Sequence, residues 1–212
     1  MPKKIKYKNL PKILPIFPLP GAILLPYGNL PLNIFEPRYI AMIEDALGKD
    51  RIIGMIQPKF NKSENQNLYP VGCAGRITSF SETSDGRYLI ELEGIIRFKV
   101  REEIELVNGY RNIIPDWQPY MSDLENSFDS LNISILLEEL KLYFDKNNIN
   151  VDFNELSKIS TEHIIAAIPQ ICSFNATEKQ AIIEAKSEND RINVIISLLK
   201  MHSSSNANQS IN

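Results

Sequence analysis

The side chains through which this chain could do chemistry are scattered, and their spacing assembles none of the usual catalytic constellations. Cys73 and Cys172 stand far apart and make no metal or redox spacing, which points to two packed thiols in a reducing compartment. Cys73 lies in a run of small residues typical of a buried strand. His163, beside Glu162 near an expected helix start, has no nucleophile placed to use it and reads as a capping or surface residue. The chain holds no G-x-x-x-x-G-K-[ST] phosphate cradle, and Gly48-Lys49-Asp50 is only a helix stop. It also lacks H-E-x-x-H, G-x-S-x-G and paired-cysteine zinc patterns, so neither a metal nor a cofactor is expected. Glu36, Arg38 and Arg76 could form a polar site at a barrel mouth. Equally, Glu36 and Arg38 flank a helix start, where a carboxylate suits the dipole and an arginine can tie a loop.

Contact chemistry is better represented than catalytic chemistry. Tyr27, Phe35, Tyr39, Met55, Phe60 and Tyr69 fall in or beside proline-rich and polar loops, where not all of them can be buried. Adaptable apolar side chains of this kind suit the capture of polypeptides that share no sequence, with core packing as the competing role for each. An open strand edge that pairs with an extended peptide is a second route. The net charge of −3 and pI near 5.5 argue against a phosphate-binding surface. Lys3, Lys4, Lys6, Lys8 and Lys12 form one basic run, which reads as a solvated terminal arm.

The elements that must position these groups are organised around residues 14 to 39. Prolines at 15, 18, 20, 26, 31 and 37 forbid one regular element there and impose short extended pieces until Pro37 opens a helix. The same prolines break the apolar stretch 13 to 25, so it cannot serve as a signal or membrane helix, and a cytoplasmic protein is expected. Ile40, Ile43 and Leu47 give the helix its apolar face, and Gly48 ends it. Ile52 to Gln57 is a short strand, and residues 61 to 68 are an exposed loop. From Val71 the period is two. Asp85-Gly86 and Asn108-Gly109 mark hairpin turns, and Gly94 marks a bulge or bend. Arg97, Lys99 and Arg101 alternate with Ile96, Phe98 and Val100, which places Arg97 on a wet face. Such short strands with one early helix point to a small, partly closed antiparallel barrel.

Beyond residues 115 to 127 the period becomes 3.6. Ile133, Leu136, Leu137, Leu140 and Phe144 line one helix, Ile164, Ile168 and Ile171 another in which Pro169 should make a kink or a stop. Asn175 with Glu178 is a capping pattern, and Ile192, Ile195, Ile196 and Leu199 line the last helix.

The order Ile16-Phe-Pro-Leu-Pro-Gly, Leu30-Pro-Leu-Asn-Ile-Phe-Glu-Pro-Arg-Tyr, Gly54-Met-Ile-Gln-Pro and Leu68-Tyr-Pro-Val-Gly-Cys-Ala-Gly-Arg-Ile resembles the Lon protease N-terminal, substrate-binding domain family, in particular its stand-alone bacterial members. Gly86-Arg-Tyr-Leu-Ile, Gly94, Arg97-Phe98, Phe174 and Glu178-Lys-Gln-Ala add to the likeness, which runs from about Ile13 to Met201. Ser173 departs from a proline often found there, and Pro169 falls inside a helical pattern. The resemblance implies an α+β fold in which a PUA-like antiparallel β-barrel with one inserted helix precedes a C-terminal helical bundle. It also implies recognition of unfolded or damaged polypeptide in protein quality control.

The expected division is a basic arm over 1–12, a barrel over 13–118, a helical bundle over 119–202 and a disordered tail over 203–212. The expected function is non-enzymatic binding of unfolded polypeptide or of a protease or chaperone partner. The competing classes are an RNA-binding PUA-like protein, against which the acidic balance counts, and an enzyme with a small-molecule site at the barrel-helix junction. A second copy could also cover exposed apolar surface, giving a homodimer.

Overall fold

The computed structural model describes residues 7–59, 67–125, 130–156 and 158–205. Phe60, Lys3, Lys4 and Lys6, and most of the expected loop and tail, lie outside those residues. The fold is mixed α+β, and the chain divides into two compact units, Met1–Glu125 and Asn126–Asn212.

The first unit contains β1 (Leu14–Pro18), β2 (Asn29–Ile34), α1 (Pro37–Leu47), β3 (Ile52–Ile56), β4 (Val71–Glu82), β5 (Tyr88–Val107) and β6 (Tyr110–Asp116). The strand order is β2-β5-β4-β3-β1-β6, and β5 also pairs with β6, so five strands close into a ring that β2 flanks. One pair, β1 with β3, is parallel; the others are antiparallel. The parallel pair exists because α1 separates the β1–β2 ribbon from β3 and returns the chain in the same direction.

Closure depends on the length and bending of β5. The structure has one 20-residue strand running through Gly94, with a bulge where the sequence pattern places a bulge or bend. Ala74 faces Ile96 while Gly75 faces Gly94, which leaves Ile95 as an extra residue and bends the strand. At Gly94 the turn after β1 comes close: its N–H donates to the Gly28 carbonyl at 2.8 Å, and the Tyr27 N–H donates to its carbonyl at 2.9 Å. A Cβ at Gly94 would lie 2.0 Å from the Leu25 carbonyl oxygen, so no side chain fits. The Asn108-Gly109 turn has positive φ at both residues (48° and 83°), as a tight hairpin requires.

Arg97 departs from the expected alternation. It is fully buried, and Asp123 receives hydrogen bonds from its backbone N–H (3.0 Å), Nε (2.9 Å) and Nη2 (2.8 Å). The 3-10 segment Gln118–Leu124 covers this part of β5, so both faces of the strand are enclosed. Tyr120 lies under the guanidinium at 4.2 Å, and the Tyr27 hydroxyl donates to the Asp123 carbonyl at 3.3 Å. These contacts make the segment part of the first unit. The first compact unit runs to Glu125.

The second unit holds α2 (Ser130–Lys146), α3 (Phe153–Leu156), α4 (Thr161–Ile171), α5 (Ala176–Glu184) and α6 (Glu188–Ser205). Leu136, Leu140, Phe144, Ile164, Ile168, Ile192, Ile195 and Leu199 are buried, as their 3-4 spacing requires. Asn175 and Glu178 make the reciprocal capping box at the start of α5. Helix α4 runs through Pro169 and ends two residues later.

Candidate functional site

The turn after β1, the inner end of β2 and the first turn of α1 enclose a cleft of about 350 Å³. Its position follows from the prolines. Pro18 ends β1, the Leu19 N–H donates to the Ile56 carbonyl at 3.0 Å, and the Gly21 N–H donates to the buried Gln57 Oε1 at 3.1 Å. Gly21 turns with φ of +72°. The ribbon is thereby held open on one side of the cleft. On the other side Pro37 takes the first helical position, and the Glu36 carbonyl accepts the Tyr39 and Ile40 N–H groups.

The walls are apolar and the rim is charged. Tyr39 packs its ring on Phe17 with centroids 4.2 Å apart, and Leu32 and Leu19 complete that surface. Phe35 is 63% exposed, an unusual position for a phenylalanine. At the rim the Arg38 guanidinium donates through Nε (3.0 Å) and Nη2 (2.7 Å) to Glu36 Oε2 and lies 4.6 Å from the Tyr39 ring centroid. This ion pair is open to solvent, and so its contribution to stability is small. Arg111, from the β5–β6 hairpin, reaches the same cleft and donates through Nε to Glu103 at 3.0 Å. Burial pushes the Tyr39 phenol above its ordinary value, with Arg38 opposing and Glu36 reinforcing the shift, so the ring presents a neutral hydroxyl. Such a cleft can seat an apolar or aromatic side chain while guanidinium groups meet a carboxylate or a carbonyl.

Of the residues singled out in the sequence, Phe35, Glu36, Arg38 and Tyr39 meet here. Arg76 does not join them. It sits in the barrel wall on β4, opposite Ile52 and Glu93. Met55 is a core residue at 2% exposure, and only an edge of Tyr39 (6%) reaches the cleft. The strand pattern hid this for Met55, because β3 is buried along its whole length. Tyr27 takes a left-handed φ of 66° and spends its hydroxyl on Asp123, which makes it an anchor. Tyr69 is half-buried, with Lys59 Nζ 5.7 Å from its ring centroid. Phe17, Leu32 and Arg111 were missed. Their convergence depends on strand pairings that no local pattern encodes.

The edge of β2 beside the cleft is a poor template for peptide addition. The bond between Gly28 and Gly94 fixes the parity of the ladder, so Leu30, Leu32 and Ile34 turn their backbone groups towards β5. Asn29, Pro31 and Asn33 face outward, and Pro31 has no N–H to offer.

Other groups that carry chemistry are engaged locally. Ser160 Oγ and His163 Nδ1 lie 2.7 Å apart at the exposed start of α4. Burial pushes the Cys172 thiol up to about 12, and Cys73 is buried on β4. Among the described residues no group of three or more His, Cys, Asp or Glu could hold a metal ion, and no helix is long and apolar enough to cross a membrane.

The first unit is thus a closed, bulged barrel bearing an apolar cleft with a charged rim, and the second unit is helical. The chain belongs to the family of the ATP-dependent protease La (LON) substrate-binding domain, whose description matches residues 13–201. It is 26% identical over 210 residues to Lon protease 2 of Myxococcus xanthus and 25% identical over 206 residues to the Lon protease of Anaeromyxobacter dehalogenans. Each match covers 93% of this chain and 24% of the relative, so the chain spans about a quarter of the length of these proteins. Among solved structures, the Lon N-terminal domain protein from Xanthomonas campestris superposes with a TM-score of 0.62 at 18% identity, covering 87% of this chain and 97% of that one. The N-terminal domain of the Mycobacterium avium complex Lon protease gives 0.63 at 12% identity, covering 92% and 99%. These two likenesses concern the fold.

Proposed function

We propose that the chain binds extended, unfolded segments of polypeptide in the service of protein quality control, without catalysing a reaction. The observation that carries this reading is the cleft beside β2, where an exposed Phe35 stands over an apolar wall of Phe17, Leu32 and Tyr39. Exposed aromatic surface is costly to a soluble domain unless it is used, and an apolar cleft with few fixed polar partners tolerates many sequences. The rim arginines add orientation by meeting carbonyls or acidic side chains. Backbone pairing contributes little here, because Pro31 removes the central donor of the neighbouring edge. Family membership supports the reading, since the relatives are named as proteases and the matched part is described as their substrate-binding domain.

The test is an equilibrium titration without nucleotide against a labelled, permanently unfolded polypeptide, a folded control and a single-stranded RNA. Binding to the unfolded chain alone, retained at high salt, is the expected result. Failure to bind it, or binding to RNA that weakens steeply with salt, would overturn the proposal.

A further inference from the structure

The C-terminal end of α1, the lead into β1 and the β5–β6 hairpin enclose a second cleft, of about 280 Å³, which shares no lining residue with the one beside β2. Ile13, Pro15, Ile52, Ile104 and Val107 give it apolar walls, and Ile13 (53%) and Val107 (45%) stand open to solvent at its mouth. Asn112 lies between Pro15 of β1 and Ile104 of β5 in the sheet, and all three line the cleft. It is only 4% exposed, and its Nδ2 is sealed from solvent with no hydrogen-bond partner. An amide N–H left in that state costs free energy that a carbonyl entering the cleft would recover. A half-turn of the carboxamide exchanges its nitrogen and oxygen, so the unused N–H can be turned to such a carbonyl.

Asp45 supplies the charge of the site. Its Oδ2 accepts from the Tyr110 hydroxyl (2.7 Å) and from Asn108 Nδ2 (3.2 Å), which fixes the carboxylate and leaves Oδ1 for a further donor. The Tyr110 phenol that orients Asp45 and the Asn112 carboxamide stand two residues apart on β6, on one face of the strand. Asp50 lies on the same rim, and Lys49 is the one cation among the lining residues. An anion, an unused amide N–H and an apolar wall are thus brought together. We propose that this cleft captures the amino terminus of a polypeptide whose first residue is apolar. Such a terminus carries an ammonium, an apolar side chain and a carbonyl within a single residue. The ammonium donates to Asp45 Oδ1, the first carbonyl accepts from Asn112 Nδ2, and the side chain packs on Pro15, Ile52 and Ile104. A carboxy terminus would meet Asp45 and Asp50 as like charges, and an internal lysine has no carbonyl beside its ammonium. The inference does not rest on the cleft beside β2, whose proposed occupants are internal segments.

The test is fluorescence anisotropy of the full chain with a short peptide that begins with leucine and is labelled at its C-terminal end. The free terminus should bind about tenfold or more tightly than the same peptide N-acetylated, or than an acetylated peptide with an internal lysine, because a hydrogen bond to a charged group is at stake. Asn112→Leu puts an apolar group in place of the unpartnered carboxamide, and should weaken binding of the free peptide about tenfold without lowering the urea midpoint. Asp45→Asn keeps an acceptor for Tyr110 and should shrink the preference for the free terminus over the acetylated one. An unfolded polypeptide with a blocked amino terminus should not displace the probe, which separates this result from that for the cleft beside β2. Equal binding of free and acetylated peptides, or no binding up to about 1 mM, would overturn the inference. So would an Asn112→Leu variant that binds as wild type does, or displacement of the probe by the blocked polypeptide.

Discussion

Two arginine-carboxylate pairs in one unit show opposite uses of the same chemistry. Arg97 and Asp123 are wholly enclosed, joined by three hydrogen bonds and stacked on Tyr120. Glu36 and Arg38 lie in water at the cleft rim, joined through a single carboxylate oxygen. Burial raises the cost of losing either partner of the first pair, because the survivor keeps its charge without compensation. Solvent makes the second pair cheap to open and re-form. The buried pair fixes where the barrel ends, and the exposed pair leaves two polar groups free to change partners when something enters the cleft.

That contrast sets the order of expected effects. Asp123→Asn should destabilise the first unit by about 3–5 kcal/mol in urea denaturation, since it strands a buried guanidinium. A loss under about 1 kcal/mol would show that water reaches the pair. Alkaline pH comes next. Burial first, then the hydrogen bond to Asp45, raises the Tyr110 phenol from its ordinary 10.0 to about 12. A pKa raised on folding means stability is complete below pH 10 and falls as pH rises through 12, because the unfolded chain ionises first. Tyr110→Phe should flatten that limb of the unfolding profile, and an unchanged limb would assign it to other groups. Glu36→Gln should change unfolding by less than about 1 kcal/mol while altering the salt dependence of polypeptide binding. Smallest of all, Phe35→Ala should leave stability within about 0.5 kcal/mol, as expected of an exposed side chain.

The sequence disclosed what is local. Pro37 at a helix start, the 3-4 spacing of α2 and α6, the Asn175 and Glu178 capping box and the Asn108-Gly109 turn each act within a few residues, and each is where its pattern puts it. The cleft was half legible for the same reason: Phe35, Glu36, Arg38 and Tyr39 are neighbours in the chain. Arg97 was misplaced because alternation reports one face of a strand, and nothing near residue 97 announces that the 3-10 segment will cover its other face. Asp123, 26 positions away, had no pattern at all. Arg111 and Phe17 reach the cleft through the closure of β1, β3 and β6, a property of pairing. Pro31 was visible from the start, but its effect on edge pairing required the parity set by Gly28 and Gly94.

The division into a rigid enclosed pair and an adaptable open cleft is tested most directly by the affinity of Phe35→Ala for a permanently unfolded polypeptide, measured beside wild type at equal folded fraction. Removing an exposed aromatic that anchors a bound chain should weaken binding about tenfold without loss of fold. An unchanged dissociation constant in a fully folded variant would contradict the assignment of the cleft as the contact surface.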